Sequence, residues 1–225
     1  MNHNDLVQQI RSFGAFVPYK FRGLFSEEKE TLGEEIFRKY PHDISLSTGG
    51  LYVAMPLPPG QYWAGLVKEH FRNLSGIRPK NGLEMNNMAF AYDTFGFYRD
   101  PSDRNEKWTR IIDNFGIGSF RELQPMYEDA IRLDQSLWEP RYNIADGLLR
   151  LWVWGDKPED TAYFERAFEE LNAVLEINPE NIPARLDLAG TFHDFVNPYE
   201  LYSEVLEIDP DNEEAKSRLV LLNNL

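Results

Sequence analysis

The chain has 225 residues, of which 42% are hydrophobic and 14% aromatic, and it contains no cysteine. This composition is sufficient for a hydrophobic core and excludes disorder as the main state, while the missing thiols exclude disulfide scaffolds, thiolate zinc sites and cysteine nucleophiles. The net charge of −14 argues against general binding of nucleic acids, which requires a basic surface.

Targeting signals are not evident in the sequence. No segment reaches the ~20 consecutive apolar residues of a membrane span, and the first residues lack the basic and apolar regions of a secretory signal. We therefore expect a cytoplasmic protein with no membrane partner.

The N-terminal part, residues 1–58, predicts helices without a repeat. Helices are expected over Asn4–Phe13 and over Ser26–Tyr40, the second with its serine as N-cap. Ser47–Gly50 is expected to be a loop that either cradles an anion or only leads into the next segment. The apolar run Leu51–Met55 predicts a short strand or an extended tether. Residues 1–58 are therefore expected to form a non-repeat cap at one end of a helical array.

The middle part, residues 59–119, is expected to be helical. The spacing of apolar residues predicts helices over Gln61–Leu74 and Glu106–Asn114. The glycines of GIGSF, at 116–120, predict a turn, since a phosphate-binding loop would need a third glycine and a preceding strand.

The C-terminal part, residues 120–225, shows one amphipathic helix after another. Pro125 indicates that the first of these helices begins close to it. The predicted helices cover Ser119–Asp134, Glu139–Trp154, Glu159–Ile177, Ile182–Phe195, Tyr199–Ile208 and Asn212–Leu222.

The negative charge belongs entirely to this C-terminal part. Residues 1–119 contain 14 acidic and 14 basic side chains, whereas residues 120–225 contain 23 acidic and 9 basic ones. Such an asymmetry is typical either of a well-solvated helical surface or of a field that attracts a cationic partner.

Three helix ends have related sequences, in which an aliphatic residue precedes Asx, with an acidic residue before it in two of them and proline after it in the same two. They read AIRLDQSLWEPRYNIAD, VLEINPENIPARLDLAG and VLEIDPDNEEAKSRLVL. Asx-Pro ends one helix, and the short turn lets the next helix pack antiparallel to it. The pattern resembles the tetratricopeptide repeat (TPR) over 120–225, with a weaker echo over 60–119. The matching positions are Ile144, Ala145, Leu148, Ala167, Leu171, Val174 and Pro179, then Leu188, Ala189, Phe192, Tyr202, Val205 and Pro210.

The resemblance implies an all-α fold in which antiparallel helix pairs stack as a short right-handed solenoid behind the N-terminal cap. It also implies a concave groove lined by the first helix of each pair. The groove positions of the family correspond here to Glu139, Tyr142, Asp146, Leu149, Arg150, Pro183, Leu186, Gly190, His193 and Asp194. A groove of mixed apolar and acidic character favours a partner segment with Lys or Arg and an apolar anchor.

Motifs for catalysis, metals or cofactors are not found. The four histidines, at 3, 42, 70 and 193, are not spaced as a helical zinc face. The acidic run at 209–214 lacks the glycine and the final glutamate of an EF-hand. We therefore expect no metal and no cofactor.

Two classes of function remain. The first is an adaptor or scaffold that binds another protein or peptide, including an inhibitor of the immunity type that masks a basic site on a toxin. The second is an enzyme whose active site lies within residues 40–100. The side chains available to it are His42, Asp43, Glu69, His70, Tyr92 and Arg99.

Overall fold

The computed structural model describes residues 2–16, 26–55, 61–74, 76–95, 117–154 and 161–223. In these ranges the chain forms eleven α-helices and no strand, which confirms the all-α class. None of the helices in the described ranges is long and apolar enough to cross a membrane.

The chain divides into two compact units, residues 1–143 and residues 144–225. Helix α7 begins in unit 1 and ends in unit 2. The helices are α1 (His3–Ser12), α2 (Glu27–Lys39), α3 (Ile44–Ala54), α4 (Gln61–Leu74), α5 (Gly82–Phe95), α6 (Ile117–Leu133), α7 (Glu139–Trp154), α8 (Thr161–Ile177), α9 (Ile182–Thr191), α10 (Pro198–Ile208) and α11 (Glu213–Leu222).

Polar side chains fix where several helices begin. Ser26 precedes α2 and accepts the amide of Lys29, as the sequence predicts. Asn181, Asn197 and Asn212 play the same part for α9, α10 and α11, each accepting an amide three residues further on. Each cap satisfies an amide that would otherwise lack a partner at a helix start.

Two expectations for residues 47–55 are wrong. Ser47–Gly50 is not a loop, and Leu51–Ala54 is not a strand, because both segments belong to α3. Every residue of α3 is buried, so this helix has no polar face and its sequence lacks helical periodicity. The buried position also removes Ser47–Gly50 as an anion cradle.

Helix boundaries differ from expectation in three other places. Pro125 lies inside α6, which begins at Ile117, so the turn expected at 116–120 is largely helical. Pro125 is exposed there, so the carbonyl that loses its amide partner to the proline is within reach of solvent. Helix α9 ends at Thr191 and does not reach Phe195. The helix expected over Glu106–Asn114 lies outside the described residues.

The core of unit 1 surrounds α3, which packs against α1, α2, α4 and α5. At the crossing of α2 and α3, a Cβ added to Gly33 would lie 2.5 Å from the carbonyl oxygen of Gly50. A Cβ on Gly50 would lie 2.7 Å from the carbonyl oxygen of Gly33. The two glycines therefore permit a helix approach that any side chain would prevent.

Unit 2 is a series of helices that pack on their neighbours in the chain: α8 on α9, α9 on α10, and α10 on α11. Its core uses small and aliphatic side chains, among them Ala167, Leu171, Val174, Leu188 and Val205, all of them buried. Arg185 on α9 donates from Nε to Glu204 on α10 at 2.7 Å, which adds a polar contact between these two helices.

Candidate functional site

Two of the predicted groove residues are buried in unit 1. Glu139 and Tyr142 have no exposed surface, and neither can contact a partner directly in this structure. Glu139 forms an ion pair with Arg11 of α1, and the Tyr142 ring lies edge-on to Trp138. Both side chains belong to the packing at the start of α7.

Three further predicted residues lie along α7 within unit 2. Asp146, Leu149 and Arg150 are each partly exposed. Arg150 Nε lies 3.1 Å from Asp146 Oδ2, one helical turn away. This pair reduces the net charge that the middle of α7 presents to a partner.

The remaining predicted residues lie on α9 and in the turn that follows it. Leu186 is almost fully buried and Pro183 is partly exposed, whereas Gly190, His193 and Asp194 are exposed. A Cβ at Gly190 would meet only the Tyr202 hydroxyl at 3.6 Å, so this surface has room for a ligand atom. Gly190, His193 and Asp194, the exposed residues of this set, therefore lie at the C-terminal end of α9 and in the turn after it.

An aromatic cluster lies beside these exposed residues. Phe192 is fully buried, with its ring centroid 4.3 Å from that of Phe164 and 5.2 Å from that of Phe168. Phe195 contacts the same two α8 rings, at 5.7 and 6.2 Å, yet 69% of its surface is exposed. Trp152 extends the cluster through a 4.8 Å contact with Phe164.

Phe195 is not among the residues predicted from the sequence, which predicts a helix that continues to Phe195, whereas α9 ends at Thr191. The sequence nevertheless contains a signal. In the run FHDF, at 192–195, two phenylalanines flank His193 and Asp194 just before the Asn-Pro that begins the next helix. The end of a helix offers little surface that could bury two aromatic rings at once.

The described surface of unit 2 carries an excess of negative charge. Unit 2 contains 18 of the 37 acidic and 6 of the 23 basic side chains. Among its described residues ten acidic residues are exposed, whereas Arg218 is the one exposed basic residue and Lys216 and Arg166 are partly exposed. The exposed acids are Glu165, Glu169, Glu176, Glu180, Asp194, Glu200, Glu207, Asp211, Glu213 and Glu214.

Four of the five basic side chains in the described part of unit 2 contact acidic neighbours. Arg166 lies 3.8 Å from Glu170, and Lys216 lies 3.4 Å from Asp211 and 3.2 Å from Glu213. The hydrogen bonds of Lys216 to these carboxylates raise its pKa. Local pairing of the cations leaves the acidic excess to set the field around this unit.

Unit 1 contains a chain of buried polar side chains. Asn143 Nδ2 donates to the carbonyl of Phe16 at 2.9 Å and to Asn86 Oδ1 at 3.0 Å. Asn86 donates to Asn87 at 3.1 Å, and Asn87 donates to Ser45 Oγ at 2.9 Å. The network links α3, α5 and α7 to the turn after α1. Each of its side chains is hydrogen-bonded to the next, as expected of a structural element.

An open cleft of about 420 Å³ lies in the same unit, lined in part by Arg11, Asn81, Asp134 and Ser136. Its charged groups already have partners. Arg11 contacts Glu139, and Asp134 accepts the backbone amide and the hydroxyl of Ser136, which lower the pKa of its carboxyl group.

The side chains considered for an enzyme occupy structural positions where the structure describes them. Asp43 caps α3 and lies 2.8 Å from His3 Nε2, a hydrogen bond that raises the pKa of His3. Exposed His42 contacts the Asn73 carbonyl at 3.2 Å, and Glu69 is exposed. The Tyr92 ring stacks on Phe71. Arg99 lies outside the described residues.

His70 is enclosed by aromatic rings. It is fully buried, with the rings of Phe37, Phe71 and Phe95 at 5.7 to 6.1 Å and the Thr48 hydroxyl 3.3 Å from Nε2. Burial lowers the pKa of His70 to about 3. The imidazole is therefore neutral at physiological pH.

No family model, curated protein or solved structure matches this chain. Within the described ranges, no group of three or more His, Asp or Glu side chains is arranged to hold a metal ion.

Proposed function

We propose that the chain is a cytoplasmic adaptor, scaffold or inhibitor that binds a basic or amphipathic polypeptide segment through unit 2. The observation that carries this proposal is the charge of the exposed surface of unit 2, whose described part has ten exposed acidic residues, one exposed basic residue (Arg218) and partly exposed Lys216 and Arg166. Such a field speeds the encounter with a cationic partner and opposes polyanions.

We further propose that unit 2 is a short array of TPR-like helix pairs. Support comes from the burial of Ala167, Leu171 and Val174 in α8 and of Leu188 and Ala189 in α9, at the positions where the repeat needs small and large apolar residues. The packing of each helix on the next is also the arrangement that a helical repeat requires.

An inhibitor of the immunity type is included in this proposal, because masking a basic site needs the same surface as binding a basic segment. The charge separation within the chain supports binding through unit 2. Unit 1 has 19 acidic and 17 basic side chains, so it contributes little to a long-range field.

The test is affinity capture with the full chain from a lysate of the source organism, followed by mass spectrometry. Two triple variants are compared, each removing three exposed carboxylates, from unit 2 and from unit 1 respectively. They are Glu165→Gln, Glu169→Gln, Asp194→Asn and, as the control, Glu35→Gln, Glu69→Gln, Glu122→Gln.

We expect the wild type and the unit 1 control to retain the same partner through a basic region, and the unit 2 variant to lose it. Equal retention of that partner by both variants would refute binding through the acidic surface of unit 2.

A further inference from the structure

The exposed ring of Phe195 is held in place by the rings beneath it. Phe164 and Phe168 are one helical turn apart on α8, and both contact Phe195 and the buried Phe192. We call Phe164, Phe168 and Phe195 the aromatic patch. Phe164 and Phe168 are partly buried and rest on the fully buried Phe192, while the outer ring, Phe195, is 69% exposed.

A ring held in this way is suited to binding. A side chain that already packs against two others loses little rotamer freedom when a ligand covers it, so less of the binding energy is spent on ordering. Exposed aromatic residues with a packed base are the usual anchors of protein interfaces.

Acidic side chains accompany each ring of the aromatic patch. Glu165 follows Phe164, Glu169 follows Phe168, and Asp194 precedes Phe195. All three carboxylates are exposed. An apolar patch on so acidic a surface is complementary to an apolar side chain flanked by Lys or Arg.

The charge also decides among the occupants that an apolar patch can have. A second copy that docked through its own unit 2 would bring another acidic surface, and nucleic acids and anionic lipid surfaces would bring further negative charge, so these occupants meet repulsion. A cationic polypeptide meets attraction.

We propose that the aromatic patch is the anchor site for one large apolar side chain, aromatic or leucine, within a partner segment that carries Lys or Arg on either side of it. This inference rests on the proposed function and adds the position and the chemistry of the contact. Phe195 contributes the exposed ring, while Glu165, Glu169 and Asp194 select the flanking cations.

The test uses the full chain and three labelled synthetic peptides of equal length in fluorescence-anisotropy titrations. The first peptide has lysines on either side of a Trp-Leu anchor, the second has the lysines with Gly-Ser in place of the anchor, and the third has the anchor with Gln in place of lysine. We expect the first to bind about tenfold more tightly than either of the others.

The variant Phe195→Ser should remove the advantage of the anchored peptide and leave the lysine-only peptide unaffected. Its matched control is Val220→Ser on α11, where a side chain with 60% exposure is likewise made polar, and this variant should bind as the wild type does. Circular dichroism checks that both variants are folded.

The outcomes separate the two proposals. If Phe195→Ser binds the anchored peptide as tightly as the wild type does, the anchor site is wrong, while lysine-dependent binding still supports the proposed function. If neither lysine peptide binds the wild type, the proposed function fails and the anchor site fails with it.

Discussion

Arg11 of α1 donates from Nε to Oε1 of Glu139 at 2.6 Å, and Glu139 has no exposed surface. The pair joins two elements that are 128 residues apart in the chain. Oε2 of the same carboxylate is buried and lacks a hydrogen-bond partner among the described residues. A charge in such a position depends on its single cationic neighbour.

Removing that neighbour should therefore be costly. Arg11→Met leaves the carboxylate buried and unpaired, and we expect a loss of about 3–5 kcal/mol in the free energy of unfolding measured by urea denaturation. The double variant Arg11→Met, Glu139→Met removes both charges and should regain most of that loss. A double variant as unstable as the sum of the two single variants would show that the pair does not act as a unit.

Asn143 should contribute more to the free energy of unfolding than an asparagine that donates only one hydrogen bond. Its amide serves both the Phe16 carbonyl and Asn86, and Phe16 has a left-handed backbone with φ of 71°. We expect Asn143→Ala to cost about 1–3 kcal/mol in urea denaturation, because buried acceptors are left unsatisfied. Asn172→Ala is the control, since partly buried Asn172 donates to the Phe168 carbonyl at 2.8 Å. Equal losses for the two variants would contradict the network.

The approach of α2 to α3 depends on glycine. Gly33→Ala would place a methyl group 2.5 Å from the Gly50 carbonyl oxygen and 2.8 Å from Ala54 Cβ, so the two helices must separate. We expect a marked fall in the melting temperature. In contrast, Gly65→Ala on α4 meets no atom within 4 Å and should stabilise the protein by up to about 1 kcal/mol, through helix propensity alone. A harmless Gly33→Ala would mean that the crossing is looser than the structure shows.

His70 should make the protein sensitive to acid. Its pKa is about 3 in the folded chain, below the ordinary histidine value of about 6.5, so only the unfolded chain binds the additional proton between these pH values. The contribution of neutral His70 to the free energy of unfolding is therefore complete above pH 6.5. It decreases as the pH falls, and the loss reaches ~2 kcal/mol at about pH 5. His70→Gln should reduce this pH dependence of urea denaturation, whereas Thr48→Val, which keeps the imidazole, should not. An unchanged pH dependence in His70→Gln would contradict the burial of a neutral imidazole.

The sequence predicts the helices best where one face is polar and a cap is present. Ser26 and the periodic apolar residues of Glu139–Trp154 place α2 and α7 correctly. Helix α3 is not predicted from the sequence, because all its residues are buried and its apolar residues therefore lack the periodicity that indicates a helix.

The candidate site could be predicted only in part, because a family pattern assigns faces of helices without knowing what covers them. His193 and Asp194 are exposed as the pattern implies. Glu139 is covered because Arg11, from a segment with no repeat pattern, packs against it. Phe195 depends on where α9 ends, which local sequence defines least well.

The central claim is that the acidic surface of unit 2 binds cationic polypeptide, and the salt dependence of binding tests it most directly. The lysine peptide with the Trp-Leu anchor is titrated with the full chain between about 0.01 and 0.1 M ionic strength, where the screening length falls from ~30 to ~10 Å. We predict that affinity falls steeply with salt for the wild type and for the Glu35, Glu69, Glu122 control, and that the Glu165, Glu169, Asp194 variant shows weaker binding and a shallower slope. The same affinity and slope in all three proteins would contradict the claim.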